Sequence, residues 1–153
     1  MRAIAGILPP THGKLSVAGH DIVTEPVAAK RELAYVPDDP RLFDALSVWE
    51  HLEFMASAYE VSDLEQKGSA LLELFELSEK RDAYAHSLSR GMRQKLAIAC
   101  AYVHDPSAIL LDEPLTGLDP RGIRIMRESI KNRAESGTAV IVSSHLMSLV
   151  EGW

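Results

Sequence analysis

Residues 108–111 (AILL) form a short, wholly apolar run that ends at two acidic residues, Asp112 and Glu113. The run has no polar alternation, which is typical of a strand buried on both faces in a parallel sheet. Since ligands of open α/β sheets bind beyond the carboxyl ends of the strands, the two carboxylates are expected at a ligand-binding edge.

Helical patterns flank this run. Ser89 and Asp119 are each placed to cap a helix, and Pro120 suits the first helical position of the second one. Residues 138–142 (TAVIV) are typical of a second buried strand, and a short helix is expected after His145. Helix, strand, helix and strand in succession predict a parallel α/β architecture.

The first half of the chain combines short strands with two helices. Residues 2–8 are interpreted as the last turns of a helix, and residues 14–17 and 33–36 as strands, with a turn over 18–21.

Two helices are then predicted in succession. The pairs Ser47 with Glu50 and Ser62 with Glu65 each have the spacing of a capping box. Because no strand separates the two helices, a small helical subdomain is expected, over residues 41–87.

Composition excludes several classes of protein. Sixteen Lys and Arg against 22 Asp and Glu give a net charge of −6, so most of the surface repels a phosphate backbone and nucleic acid is not an expected partner. Cys100 is the single cysteine and cannot form an internal disulfide. No apolar run approaches the roughly 18–20 residues that cross a bilayer. A length of 153 residues predicts one domain.

Asp112 and Glu113 suit two different chemical roles. Mg²⁺ takes one or two carboxylates together with substrate phosphates, and an attacking water needs a proton acceptor. Asp112 fits the first role and Glu113 the second; for an isolated pair, simple exposure to water at a strand end is an equal alternative. A glycosidase pair is excluded, because neighbours on an extended strand point to opposite faces.

Four segments in order carry a family resemblance. Residues 110–114 (LLDEP) resemble the Walker B segment of the nucleotide-binding domains of ABC transporters. Residues 88–92 (LSRGM) resemble that family's signature loop, 115–119 (LTGLD) its D-loop and 143–145 (SSH) its switch-histidine segment. The resemblance implies a P-loop NTPase-like, three-layer parallel sheet with a small helical subdomain, and implies ATP and Mg²⁺ as cofactors.

The resemblance also implies a role for each site residue. The catalytic pair is Glu113, which polarises water, and His145, which holds the γ-phosphate, while Asp112 organises Mg²⁺. ATP held by a second, head-to-tail nucleotide-binding domain is contacted in trans by Ser89, Gly91 and Asp119. A hydroxyl and a glycine at a helix N-terminus do suit a phosphate. The alternative for Ser89 and Asp119 is helix capping alone, which for Asp119 is compatible with a contact in trans, and a lone histidine such as His145 is more often a surface or core residue.

The chain departs from the family pattern at three positions. Residues 33–40 (LAYVPDDP) resemble the Q-loop region, but Asp38 stands where the family usually has glutamine. Asp38 is therefore only a secondary candidate for Mg²⁺, since its carboxylate would add negative charge beside a triphosphate, whereas glutamine adds none. Arg90 and Met92 stand where the commonest signature has Gly and Gln, but this chain keeps Ser89 and Gly91.

A partner surface is expected on the helical subdomain. In the family this part grips a transmembrane permease subunit, which implies a cytoplasmic protein at the inner face of the cell membrane. Phe43 and Trp49 are candidate contacts if they are exposed, and packing of both in the core is the alternative.

The phosphate-binding loop G-x-x-x-x-G-K-[ST] does not occur in this sequence. Gly6 and Gly13-Lys14 imitate it, but six residues separate the two glycines instead of four and Pro9-Pro10 interrupts them. The resemblance implies that residues 1–22 follow such a loop, so we expect a partial domain that begins after Walker A and ends soon after the switch histidine, with 88–153 as its signature-to-switch portion. This chain alone is expected neither to bind MgATP tightly nor to hydrolyse it.

The sequence is compatible with three functions. The first is the ATP-binding and hydrolysing subunit of an ABC transporter, closest to bacterial exporter-type subunits, which couples ATP hydrolysis to transport by a permease. The second is a non-transport ABC-type ATPase of translation or DNA repair, although only 47 residues separate Pro40 from Leu88, which leaves no room for a long coiled coil. The third is a non-catalytic fragment.

Overall fold

The structure, a computed structural model, describes residues 1–145. In this part of the chain the elements are β1 (Ser16–Val17), β2 (His20–Asp21), α1 (Pro26–Arg31), β3 (Leu33–Val36), α2 (Val48–Ala58), α3 (Leu64–Leu74), α4 (Arg90–Tyr102), β4 (Ala108–Asp112), α5 (Pro120–Glu135) and β5 (Ala139–Ser143). Short 3₁₀ turns lie at Ser78–Lys80 and Ala85–Ser87. The helix expected after His145 lies outside the described residues.

A parallel sheet of order β3-β4-β5 confirms the α/β prediction. Strand β4 lies in the middle, and its residues Ile109, Leu110 and Leu111 are at most 1% exposed. At its carboxyl end Asp112 pairs with Ser143 of β5. The sheet therefore brings the acidic pair and the serine-histidine segment to one edge.

The expectation of a buried second strand is wrong for β5. Its residues are exposed or half-buried, and Ile141 is 46% exposed. Within the described residues β5 pairs with β4 alone, so neither its outer edge nor Ile141 is covered.

One apolar cluster joins the helices to the sheet. Helix α4 is the centre of this core, and its residues from Leu96 to Tyr102 are buried. Helices α2 and α3 pack on one another and on α4. The predicted pair of successive helices is thus confirmed. Among residues 1–145, no helix is both long enough and apolar enough to cross a membrane.

The predicted helix starts are correct at three of four sites. Ser47 accepts a hydrogen bond from the Glu50 N–H while Glu50 accepts one from the Ser47 N–H, which completes a capping box. Ser89 and Asp119 also cap their helices. The second capping box is wrong: α3 is preceded by Asp63, not Ser62, and no side chain caps it. Ser62 lies one residue too early to accept from the first turn.

The N-terminal region differs most from prediction. Residues 2–8 form turns, with the Ala5 N–H donating to the Met1 oxygen at 2.9 Å, instead of a regular helix. The strand expected over 14–17 is limited to β1, and β2 replaces part of the expected turn. Ala18 and Gly19 have φ of +49° and +82°, and two left-handed residues close a tight hairpin. Helix α1 was not predicted.

Replacing Ser47 with alanine tests the capping box against a matched control. We expect Ser47→Ala to lose about 1 kcal/mol of stability, because it leaves the Glu50 N–H in the first turn of α2 without its side-chain acceptor. In a thermal melt this corresponds to a drop of about 2–4 °C. The free energy of unfolding of Ser62→Ala should stay within about 0.5 kcal/mol of the parent's. Equal destabilisation by both variants would contradict the observed cap positions.

Candidate active site

The backbone of Glu113 turns sharply where β4 ends. Its φ is +51°, a left-handed conformation that costs a non-glycine residue about 1–3 kcal/mol. The Glu113 N–H donates to the Ser143 oxygen at 2.9 Å. This turn holds the Glu113 side chain in the site, where it is 15% exposed.

The structure brings the two predicted catalytic residues into direct contact. His145 Nδ1 lies 2.8 Å from Glu113 Oε1, and the His145 backbone N–H donates to the same oxygen at 2.7 Å. The Ser144 hydroxyl donates to Glu113 Oε2 at 3.4 Å. The imidazole itself is 70% exposed, so it can leave Glu113 without disturbing the core.

These contacts shift the acidity of Glu113. Burial alone raises the pKa of its carboxyl, but the hydrogen bonds from the His145 side chain and backbone outweigh that effect, and the pKa lies below its ordinary value of 4.5. Glu113 is therefore ionised at neutral pH and able to accept a proton.

Asp112 and Asp38 lie on one open cleft of about 820 Å³, which Asp39, Tyr35 and Arg2 also line. The Ser143 hydroxyl donates to Asp112 Oδ1. Among residues 1–145, no three His, Cys, Asp or Glu side chains are close enough together to hold a metal ion. Mg²⁺ needs only one or two protein carboxylates where phosphate and water supply its other ligands, and Asp112 and Asp38 are carboxylates on this cleft.

Ser89 and Asp119 both act as helix caps. Ser89 Oγ accepts from the Met92 N–H at 3.2 Å, and Asp119 Oδ1 accepts from the Gly122 N–H at 2.8 Å. The capping interpretation is therefore confirmed for both. Their contact with a nucleotide in trans stays a prediction.

The segment resembling the signature packs against the segment resembling the D-loop. A Cβ on Gly91 would lie 3.1 Å from the Gly117 oxygen, and a Cβ on Gly117 would lie 3.0 Å from Arg90 Cδ. Deeper along α4, Gln94 Nε2 donates to the Pro114 oxygen at 3.4 Å. Glycine at positions 91 and 117 thus permits a close approach of the two segments.

The sequence analysis did not predict the hydrogen bonds that two serines donate to Asp112 and Glu113. It used Ser143 and Ser144 only to locate His145, yet the Ser143 hydroxyl donates to Asp112 and the Ser144 hydroxyl to Glu113. The signal was available, because parallel strands that end together bring the residues just after them side by side.

Phe43 and Trp49 differ in exposure. Phe43 is 53% exposed and meets the exposed Phe54 edge-on at 5.4 Å. Trp49 instead packs against Gly68 and lies 3.5 Å below the Arg81 guanidinium. Trp49 is therefore packed, as in the alternative interpretation, whereas Phe43 has the exposure that a partner contact requires.

Comparisons with known proteins agree with the fold and with the family resemblance. A family model described as "ABC transporter" matches residues 1–116. The "ABC-type transporter ATP-binding protein EcsA" of Bacillus subtilis is 31% identical over 153 residues, covering 99% of this chain and 62% of the relative. The "ABC transporter ATP-binding protein NatA" of the same organism is 34% identical, covering 99% of this chain and 63% of the relative. The chain thus spans a little over three fifths of these relatives.

Solved structures give the same result. A "Structure of ATP binding subunit of ABC transporter" superimposes with a TM-score of 0.91 and 32% identity, covering 98% of this chain and 63% of that one. The "ATP-binding cassette MJ0796", a dimer bound to ADP and Pi, has a TM-score of 0.84, 24% identity and coverage of 97% and 69%. These neighbours confirm the P-loop NTPase-like α/β fold.

The acidity of Glu113 tests its contact with His145. We expect carboxyl NMR titration to place the Glu113 pKa below 4.5 in the parent and to move it upward in His145→Ala, which loses the imidazole but keeps the backbone donor. Because the folded-state pKa is lowered, this contact stabilises the fold above pH 4.5 and is lost as the pH falls through the lowered value.

The exposed His86 provides the control for this titration. Its Nδ1 contacts the Asp44 oxygen, so His86→Ala should leave the Glu113 pKa in place. A Glu113 pKa that is the same in the parent and in His145→Ala would contradict the contact.

Proposed function

Because the chain belongs to the ABC transporter family, we propose that it supplies the water-activating and metal-binding part of an ATPase that drives transport by a membrane permease. The observation that carries this proposal is the Glu113–His145 contact at the carboxyl end of β4, beside Asp112 on an open cleft. A family of ATP-binding subunits needs a base and a metal ligand together at this edge, and here they are adjacent in the chain.

Glu113 is proposed to be the general base. Its carboxylate is ionised at neutral pH, and its partly buried position lets it orient one water molecule against a γ-phosphate. In the present arrangement the imidazole of His145 occupies Oε1 of Glu113. We propose that His145 leaves that oxygen when nucleotide binds and donates to the γ-phosphate, which frees Glu113 to bind water.

Asp112 is proposed to be the protein ligand of Mg²⁺, with Asp38 across the same cleft as the secondary candidate. Mg²⁺ would neutralise the negative charge that develops on the phosphates. The hydroxyl of Ser143 fixes the orientation of the Asp112 carboxylate, so a cation would find its ligand already in position.

Ser89, Gly91 and Asp119 are proposed to face the nucleotide of a second domain. Ser89 and Asp119 precede the N-termini of α4 and α5, where unpaired backbone N–H groups favour an anion. The close packing of 90–91 against Gly117 brings the segments that precede the two helices together. A head-to-tail dimer would complete each nucleotide site with this surface from the partner.

The permease is proposed to dock at Phe43 and Phe54. Both residues are more than half exposed, their rings contact one another, and both line the cleft that Asp112 also lines. An exposed aromatic pair of this kind suits an apolar segment of a partner. This position would locate the protein at the cytoplasmic face of the membrane, next to the permease.

ATP hydrolysis can be tested by adding a phosphate-binding loop. We expect the 153-residue chain to show no micromolar binding of MgATP in calorimetry. A chimera with a relative's G-x-x-x-x-G-K-[ST] segment before Met1 should bind and hydrolyse MgATP. Glu113→Gln in this chimera should retain binding and lose about 10²–10⁴-fold in kcat; a folded chimera whose hydrolysis survives Glu113→Gln would overturn the proposed base.

The docking surface has its own test. Phe43→Ser together with Phe54→Ser should abolish co-purification of the membrane permease that the unaltered chain recovers from solubilised membranes. About half of each of these residues is already in solvent, so the fold should persist. Tyr84→Ser, which alters another exposed aromatic residue, is the control. Equal recovery of the permease with all variants would refute this surface.

A further inference from the structure

Glu76 ends helix α3 in a conformation that usually belongs to glycine. The Leu77 N–H donates to the Leu72 oxygen at 2.7 Å and the Glu76 N–H to the Glu73 oxygen at 3.1 Å, which is the pattern of a Schellman motif. The φ of Glu76 is +58°. Glycine adopts this conformation freely, whereas a glutamate is strained in it.

Glu60 ends α2 in the same way. The Val61 N–H donates to the Ala56 oxygen at 2.8 Å, and the φ of Glu60 is +56°. Its carboxylate, however, lies 3.9 Å from Arg31, and both of these side chains are at least 65% exposed. The chain therefore contains two glutamates in one backbone motif with different side-chain surroundings.

The carboxylate of Glu76 joins the two helices that carry the proposed trans contacts. Its Oε1 pairs with Arg121 in the first turn of α5, and its Oε2 lies 4.0 Å from Lys95 Nζ in the second turn of α4. Lys95 is only 13% exposed, and its Cε would lie 3.4 Å from a Cβ on Gly122. Glu76 thus lies between the starts of α4 and α5.

We propose that Glu76 is a positioning residue that aligns Ser89 and Gly91, at the start of α4, with Asp119, at the start of α5. Apolar packing between the helices is not directional, whereas one carboxylate shared by two cations on different helices fixes their relative position. This inference rests on the proposed function for its consequence in ATP hydrolysis. The alignment itself is a property of the free chain.

Two glycine variants separate this role from backbone strain. Glu60→Gly and Glu76→Gly remove the same strain, so both should keep the fold, and Glu60→Gly should melt level with the parent or up to about 4 °C higher. In hydrogen exchange on the 153-residue chain, only Glu76→Gly should speed the exchange of amides at Met92 and Gly122, by about fivefold, the scale of two partly exposed ion pairs.

Glu76→Gln adds a variant that keeps the backbone strain and loses the charge. It should accelerate the same amides as Glu76→Gly does. Unchanged exchange in both Glu76 variants, or equal acceleration in Glu60→Gly, would overturn the alignment.

An activity measurement tests the consequence separately. In the chimera with a phosphate-binding loop, Glu76→Gly should lower kcat about tenfold to a hundredfold, because displacing a reacting surface by up to an ångström has an effect of that size. The KM for MgATP should not change. The activity of Glu60→Gly should also be unchanged. A chimera without any hydrolysis refutes the proposed function and leaves the exchange result standing. Full activity of Glu76→Gly beside faster exchange refutes the consequence for catalysis.

Discussion

The burial of β4 between two parallel neighbours is the constraint on which the site depends. Ile109, Leu110 and Leu111 are almost fully buried, so β4 cannot shift its register by one residue without exposing apolar side chains and burying polar ones. That fixed register places Asp112 opposite Ser143. The turn at Glu113 then follows directly, and so does the approach of His145. The burial of apolar side chains in β4 thereby positions the polar edge that carries the proposed site.

The resting site is stable because its charged groups bond one another. Glu113 accepts hydrogen bonds from Ser144 and from both the backbone and the ring of His145, and Asp112 accepts one from Ser143. A partly buried carboxylate without such partners would be costly. The same bonds are replaceable by water, phosphate and a cation. The free chain therefore holds Asp112 and Glu113 where the proposed reaction uses them, while His145 has still to move from Glu113 to the phosphate.

Local signals were sufficient wherever a residue acts on its own neighbours. The apolar run of β4 and the caps at Ser47, Ser89 and Asp119 were readable from the sequence, because each depends on residues at most three positions away. Ser62 shows the limit of that reasoning: its spacing to Glu65 is correct, yet α3 begins after Asp63. Exposure of β5 and the covering of Trp49 by Arg81 depend on which distant segments meet, which spacing does not encode. The left-handed backbone of Glu76 could not be predicted for a further reason. Glutamate rarely adopts that conformation, and the ion pairs of Glu76 with Lys95 and Arg121 join residues that are distant in the sequence.

The most direct test of the central claim is a crystal structure of the chain carrying a phosphate-binding loop, with Mg²⁺, ADP and an analogue of the transferring γ-phosphate. We expect a Glu113 carboxylate oxygen within about 2.6–3.2 Å of the attacking water, with His145 moved from Glu113 to the phosphate and Asp112 at the metal. A structure in which His145 still occupies the Glu113 carboxylate, and no water lies between Glu113 and the phosphate, would contradict it.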